Sequence, residues 1–237
     1  MVGILYICTG KYSVFWENFY KSAEQFFLTA QDKTYFVFTD ADHIYAQDAA
    51  NVKKIHQKSL GWPYNTLLRF DIFLKIEAEL QKCDYIFFIN ANTILVDYVN
   101  EDIFPGKNND GLVGVNHPYF WNKLPEEFSY ERNEKSAAYI KSGDGKYYFM
   151  GAFNGGQATP YLELIRHLQK MIIKDLEKGI IAIWWDESHL NHYLLDKNPL
   201  VLSPAYCYPD QSTLPFSPKL VILDKLKFGG HSFLRNG

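Results

Sequence analysis

Cysteine is scarce in this sequence: Cys8, Cys83 and Cys207 are the only three among 237 residues. They lie far apart, are odd in number and form no C-x-x-C pair, which argues against a disulfide framework or a zinc ribbon and for a reducing compartment. Long apolar runs are also missing; none approaches the ~18 residues that would span a bilayer. The N-terminal stretch Met1 to Ile7 has no basic region and no small-residue cleavage site, so it reads as a first strand and not as a signal peptide. A basic excess is lacking as well: 24 Lys and Arg face 27 Asp and Glu, for a formal net charge of −3. No nucleic-acid partner is therefore expected. There is no G-x-G-x-x-G, no P-loop and no H-E-x-x-H, which removes the motif support for a dinucleotide enzyme, an NTPase or a zinc protease. These absences leave an expectation of a soluble, cytoplasmic protein with no transmembrane segment.

The apolar share of 47% with 22% charged residues excludes disorder and collagen-like repeats. The length suits one α/β domain over residues 1–237. Five Trp, 17 Tyr and 18 Phe are many aromatic rings, and rings serve both cores and sugar-binding clefts. Periodicity gives strands at Val2 to Cys8, Tyr35 to Phe38, Lys53 to Lys58 and Tyr85 to Ile89. It gives helices over about 13–29 and from Leu67 to about Gln81. This β-α-β-α-β opening implies a mostly parallel sheet flanked by helices. Further on, strands are expected at Gly111 to Val115 and Tyr147 to Phe153. Helices follow over Tyr161 to Lys178 and after Trp184. Residues 117–146, rich in Asn, Glu, Lys and Gly, read as a long surface excursion, and the tail from Lys225 reads as basic and flexible.

Open parallel sheets bind ligands at the carboxyl ends of their strands. That rule selects Cys8 to Tyr12, Thr39 to Asp42 and Asn90-Ala91-Asn92. Asp40-Ala41-Asp42 could hold a divalent cation against a diphosphate, but its place after the second strand favours a solvated turn. Asn90-Ala91-Asn92 follows the most apolar strand, yet its amides carry no charge, and hard cations want carboxylates. Turn-forming Asn residues are the bland alternative. The sharpest constellation is Trp184-Trp185-Asp186-Glu187-Ser188-His189. It reads either as helix N-terminal acids beside core indoles or as a sugar cleft whose carboxylate meets oxocarbenium charge. His189 and His192 lack a third ligand nearby, so no zinc site is expected.

Taken in order, Gly61-Trp62-Pro63, Phe128-Ser129-Tyr130-Glu131-Arg132, Ala138-Tyr139-Ile140, Tyr147-Tyr148-Phe149-Met150-Gly151-Ala152, Gly155-Gly156, Trp185-Asp186-Glu187-Ser188-His189-Leu190-Asn191 and Leu202-Ser203-Pro204 resemble the family 6 glycosyltransferases. That family includes the histo-blood-group A and B transferases and the α-1,3-galactosyltransferase. The resemblance runs from Val2 to Arg235. It implies a GT-A fold, with a Rossmann-like UDP-binding half over about 1–92 and a donor-sugar and acceptor half over about 93–237 ending in a flexible tail. It also implies a bacterial-type member, cytoplasmic and peripheral to the inner membrane face.

By position, the resemblance places Tyr12 on uracil beside Ile7, Cys8 and Thr9, with Trp62 and Arg69 around the nucleotide. Asn90 and Asn92 stand where the family's metal motif has aspartates. Met150, Gly151 and Ala152 fall beside the donor sugar with Asp186, while Arg235 matches a diphosphate contact; the basic tail itself offers Lys225 and Lys227 for the same charge, with Gly229-Gly230 as a hinge, against the alternative of a frayed, solvated terminus. His117, Ser129, Trp184 and Trp185 match acceptor contacts, and Glu187 matches the catalytic carboxylate at the junction of donor and acceptor. Trp185 stands where animal members usually have His. The implied activity is retaining transfer of galactose from UDP-galactose to a fucosylated, H-type oligosaccharide or glycolipid, in α-1,3 linkage, with no metal or other cofactor. The alternatives are UDP-GalNAc as donor and a catalytically silent sugar- or nucleotide-binding protein.

Overall fold

The computed structural model describes residues 1–235. Strands β1 (Val2–Ile7), β2 (Lys33–Thr39) and β3 (Val52–His56) run parallel, with helix α1 (Trp16–Phe26) as the first crossover. Three short helices, α2 (Tyr64–Leu67), α3 (Arg69–Leu74) and α4 (Glu77–Leu80), lead into β4 (Tyr85–Ile89). The chain then makes β5 (Thr93–Leu95), β6 (Leu112–Asn116), β7 (Phe149–Gln157), helices α5 (Ala158–Glu177) and α6 (Asp186–Leu194), and β8 (Leu200–Leu202). It closes with β9 (Tyr208–Pro209), β10 (Leu220–Ile222) and α7 (Gly230–Arg235). The main sheet has the order β3-β2-β1-β4-β7-β6-β8, and β7 alone runs antiparallel to its neighbours. A second sheet has the order β5-β10-β9. The expected mostly parallel α/β architecture is therefore present.

The central strands are near-continuous apolar runs because both faces are covered. Successive side chains alternate between faces. Ile4 and Tyr6 join Trp16, Phe19 and Phe27 in one core. Leu5, Phe36 and Phe88 join Phe70, Phe73 and Ile165 in the other. Glycine is required where β7 is squeezed between β4 and β6: a Cβ on Gly155 would stand 2.3 Å from the Ile86 carbonyl oxygen.

Four expectations need correction. The helix expected over 13–29 begins as a tighter 3-10 segment, Gly10–Phe15, and becomes α-helical only at Trp16. The Asp40 carboxylate takes the Gly10 N–H at 2.7 Å and fixes that entry. The single helix over 67–81 is broken at Leu68 and Ile76, where the backbone leaves helical angles. At the first break the Arg69 Nε donates to the Thr66 carbonyl at 3.2 Å, replacing a lost main-chain partner. Within the 117–146 excursion, Phe128, Tyr130 and Ile140 form a small third core with Tyr148. Its backbone is held by two buried carboxylates: Glu131 accepts from Asn133 N and Ile183 N, each at 2.7 Å, and Asp175 accepts from Ser136 Oγ at 2.5 Å and Ala137 N at 2.7 Å. Lastly, the tail is folded. Asp224 caps a 3-10 turn over Lys225–Phe228, Gly229 turns with φ +91°, and α7 buries Leu234 against the first core.

Candidate functional site

A cavity of about 390 Å³ opens at the carboxyl ends of β1 and β4. Ile7, Thr9 and Asn90 line it beside one wall made by β7 and the start of α6 and a second made by the tail, and the Trp62 and Trp185 rings, 4.3 Å apart, join the two. Both halves of the chain contribute, as expected for a ligand site at this edge of an α/β sheet.

The first wall is built around two carboxylates. The chain enters α6 through Trp185, which has φ +51°, a left-handed conformation that a bulky residue adopts only when its surroundings enforce it. That turn delivers Asp186 and Glu187 to the cavity as the first residues of the helix. Both oxygens of Glu187 are held: Oε1 accepts from the Tyr148 hydroxyl at 3.0 Å, and Oε2 from the Gly151 N–H at 2.7 Å. Gly151 permits this approach, since a Cβ there would lie 3.2 Å from the Glu187 Cβ and 3.3 Å from Oε2. Behind them, Asn191 ties α6 to β7. Its Nδ2 donates to Phe149 O at 2.8 Å and Glu187 O at 2.9 Å, and its Oδ1 accepts from Phe149 N at 2.8 Å.

Asp186 is buried and pairs with the equally buried Arg69, Nε to Oδ2 at 3.0 Å. Arg69 also donates from Nη1 to Gly151 O at 3.0 Å and lies over the Phe88 ring at 4.4 Å. Burial pushes the Asp186 carboxyl up to about 6, with Arg69 opposing the rise. Burial likewise pushes Glu187 up to about 7; the Gly151 N–H opposes this, Asp186 adds to it, and Tyr148 and Arg69 oppose it.

The second wall is cationic. Arg235 stacks on Trp62, its guanidinium carbon 3.4 Å from the ring centre, and lies beside the Tyr12 hydroxyl. Lys225 sits over the Tyr12 ring at 5.3 Å. Neither makes an ion pair with a carboxylate among the described residues. Burial lowers the Lys225 amine to about 8, with Arg235 and Arg69 adding to the effect.

The Asn pair does not suit a divalent cation. Asn90 Nδ2 donates to Asn92 Oδ1 at 2.9 Å, Asn92 Nδ2 donates to Leu223 O at 2.8 Å, and Asn92 O accepts from Leu223 N at 2.7 Å. One amide oxygen is thus already used, neither is charged, and Asn92 works as a clasp between β4 and the segment leading to the tail. Asp40, in turn, accepts from the backbone of Gly10 and of Ser59, at 2.7 and 3.3 Å, and acts as a loop tie.

Most of the sequence-predicted residues line the cavity: Ile7, Thr9, Tyr12, Trp62, Arg69, Asn90, Met150, Gly151, Ala152, Trp184, Trp185, Asp186, Glu187 and Arg235 all do. Five do not. Cys8 is fully buried, because its strand parity turns it into the first core. Asn92 points at Leu223. Lys227 pairs with Asp210 at 2.6 Å on the surface, because the turn over 225–228 sends it away from its neighbour Lys225. His117 is buried against Tyr148, ring centres 5.4 Å apart, and burial lowers it to about 4. Ser129 accepts the Trp184 Nε1 hydrogen at 2.6 Å, so it touches the site through that indole. The sequence reading missed Tyr148, Phe88, Asn65 and Thr66 as site residues, whereas Lys225, which it offered with the basic tail, does line the cavity. Phe88 had a signal, since it shares strand parity with Asn90.

A fixed carboxylate that shares one cavity with exposed indoles and with cations lacking a carboxylate partner among the described residues is suited to binding an anionic sugar donor and stabilising positive charge at its anomeric carbon. The sequence pattern of glycosyltransferase family 6 matches residues 1–230. The O-antigen biosynthesis glycosyltransferase WbnI of Escherichia coli is 37% identical over 225 residues, covering 95% of each chain. The globoside alpha-1,3-N-acetylgalactosaminyltransferase 1 of Gallus gallus is 32% identical, covering 90% of this chain and 63% of its own length. The histo-blood group ABO system transferase 2 of Rattus norvegicus is 31% identical, covering 99% of this chain and 71% of its own length. The seven-stranded, mostly parallel sheet accords with a GT-A-like fold. The chain belongs to glycosyltransferase family 6 and is a hexosyltransferase.

Proposed function

We propose that this hexosyltransferase is a retaining, metal-independent α-1,3-galactosyltransferase that moves galactose from UDP-galactose to a fucosylated galactoside. The observation that carries the reading is that one cavity is lined both by Glu187, with both oxygens held, and by Lys225 and Arg235, with no carboxylate partner among the described residues. Uracil would stack on Tyr12, and the diphosphate would lie between Lys225 and Arg235. A guanidinium can bind phosphate oxygens in a bidentate, charge-assisted way. The two side chains then supply compensation that a metal supplies elsewhere, which is why neutral Asn90 suffices.

In the reaction the C1–O bond breaks and its electron pair leaves with the β-phosphate oxygen of UDP. Glu187 stabilises the positive charge on the opposite face of the sugar, as ion-pair partner or as covalent nucleophile. The acceptor 3-hydroxyl adds from the face that UDP vacates, and its proton passes to the diphosphate. Trp184 and Trp185 offer indole faces to the acceptor, with Ser129 fixing the first. The Ala152 methyl and the Met150 side chain crowd the donor side and support galactose over its bulkier 2-acetamido analogue.

The decisive experiment crosses UDP-galactose and UDP-GalNAc with a fucosylated disaccharide and its unfucosylated parent, each with EDTA and with Mn²⁺. The expected result is highest kcat/KM for UDP-galactose with the fucosylated acceptor, unaffected by EDTA. A higher value for UDP-GalNAc would replace the donor assignment, strong Mn²⁺ stimulation would overturn the metal-independent reading, and UDP binding without turnover would leave a binding protein.

A further inference from the structure

The segment Phe128 to Glu131 divides its side chains between two tasks. Phe128 and Tyr130 enter the small third core with Tyr148, the residue that donates to Glu187. Ser129 and Glu131 instead meet the chain that leads into α6. Ser129 Oγ accepts the indole N–H of Trp184 at 2.6 Å, and Glu131 Oε2 accepts the main-chain N–H of Ile183, one residue earlier, at 2.7 Å. One short segment thus holds both the ring of Trp184 and the backbone that carries it.

Glu131 is buried, and its second oxygen, Oε1, accepts from Asn133 N at 2.7 Å. It makes no ion pair among the described residues. A buried carboxylate is costly unless its oxygens are used, and both are used here on main-chain donors. What they hold is a turn that needs holding. Ile181 and Ile183 are 44% and 52% exposed, so hydrogen bonds, more than packing, fix the loop between α5 and α6. Trp185 N donates to Ala182 O at 2.9 Å and Trp184 N to Ser188 Oγ at 3.0 Å, and the turn ends at Trp185 with φ +51°. Strain of that kind persists only where the surroundings over-determine it. A charge-assisted hydrogen bond is worth about as much as such strain costs.

We propose that Glu131 is a positioning residue of the transfer reaction: through the Ile183 N–H it holds the 182–185 turn and so fixes Trp184 at the cavity for the acceptor sugar. The proposal rests on the reading that Trp184 meets the acceptor. Its influence falls on Trp184 more than on Glu187. The catalytic carboxylate has its own holders in Tyr148 and Gly151, and Asn191 ties α6 to β7 independently of the turn. Trp184, 41% exposed, has only the Ser129 hydroxyl on its ring nitrogen, so its place depends on where the backbone puts it.

The test is Glu131→Gln, which keeps the shape but offers one carbonyl oxygen where the carboxylate offers two, so that one of the two N–H groups loses its acceptor. Acceptor KM should rise about tenfold, the size of one charge-assisted bond. UDP affinity by calorimetry should stay unchanged, and kcat at saturating acceptor should change little. A merely structural role would lower the folded fraction, and with it kcat, and leave KM alone. In a Trp184→Ala background the same substitution should raise KM no further, because the two residues act as one unit. A readout without substrate comes from the protein labelled with fluorotryptophan. The fluorine resonance of Trp184, assigned by its loss in Trp184→Ala, should shift or broaden in Glu131→Gln, while that of fully buried Trp16 stays in place. Should the Gln variant misfold, Glu131→Asp, which keeps the charge and shortens the reach by one methylene, is read in the same way. An unmoved Trp184 resonance in a folded variant, or a KM rise that persists undiminished in the Trp184→Ala background, overturns the positioning while leaving the acceptor reading intact. Wild-type acceptor KM in Trp184→Ala itself removes the acceptor reading, and with it the part of Glu131 in transfer.

Discussion

The two walls of the cavity differ in how their charges are held. On one, every oxygen of Glu187 and the outer oxygen of Asp186 already has a donor from the protein: Tyr148, Gly151 and Arg69. On the other, Lys225 and Arg235 rest on aromatic rings and meet no carboxylate among the described residues. Fixed dipoles around a carboxylate suit a charge that must act at one point of a reaction coordinate without reorganising. Cations without a carboxylate partner have unspent hydrogen-bonding capacity, and an anionic ligand can satisfy it. The carboxylate wall is thus preorganised for a transition state, and the cationic wall is left incomplete for a substrate.

The strongest way to break this contrast is Glu187→Gln, which keeps the shape and removes the charge. Loss of one such transition-state interaction is expected to lower kcat by about 10²–10³ or more, with UDP affinity little changed. Steady-state kinetics beside calorimetric UDP titration reads both. A Gln variant with near wild-type kcat would remove the carboxylate from the chemistry.

On the cationic wall the opposite split is expected. Arg235→Ala should weaken UDP binding by about 10- to 100-fold, as a charge-assisted contact worth ~1.5–3 kcal/mol is lost. Lys227→Ala, whose lysine is held by Asp210, should leave binding unchanged. Lys225 adds a pH signature. Its amine is lowered to about 8 in the free protein, and only the protonated form attracts a diphosphate. UDP affinity should therefore fall as pH rises through about 8, and binding near that pH should take up protons. Calorimetry in buffers of different ionisation enthalpy measures the uptake; an affinity flat from pH 7 to 9 would count against Lys225.

The same contrast explains what could be read from the sequence. The carboxylate wall was legible because Trp184 to His189 is a contiguous stretch of unusual residues at a helix start. The central strands were legible because burial on both faces makes them continuous apolar runs. The second wall was legible only in part: the resemblance selected Tyr12, Trp62 and Arg235, but only the hand of a tight turn decides that Lys225 faces the cavity while Lys227, two residues on, faces Asp210. The buried part of 117–146 was hidden for a related reason. Its polar composition reads as surface, but Glu131, Ser136 and Asp175 are polar groups spent internally on each other's backbone, which no periodicity records. The break at Leu68 depends on Arg69 reaching a partner on α6, a contact across more than a hundred residues.

A smaller effect is expected at the edge where the two walls meet the donor sugar. Ala152→Gly removes the methyl that narrows the space beside Met150, and should shift kcat/KM from UDP-galactose toward UDP-GalNAc by about 1–3 kcal/mol, the worth of one methyl-sized steric term. Competition between the two donors in one reaction measures this ratio directly. An unchanged ratio would place the discrimination on Met150.

The smallest effect, and the one that best separates charge from position, belongs to Tyr148. Its hydroxyl is one of two donors to Glu187, and that bond stabilises the carboxylate and lowers its pKa against the rise caused by burial. Glu187 must be ionised to act, so activity should fall as pH drops through about 7. Tyr148→Phe leaves the ring within its cluster of Phe120, Phe128 and Tyr130 and removes only the donor. The carboxyl pKa then rises further, and the acid limb of the kcat profile should move to higher pH. At neutral pH the loss should be about five- to tenfold, the worth of ~1–1.4 kcal/mol. Where Glu187 is fully ionised in both proteins, on the alkaline side, the gap should narrow if the hydroxyl acts only on the titration. A constant deficit at every pH would show instead that Tyr148 aims the carboxylate, with the Gly151 N–H unable to hold it alone. No change in either the limb or the plateau would mean that the main-chain bond suffices.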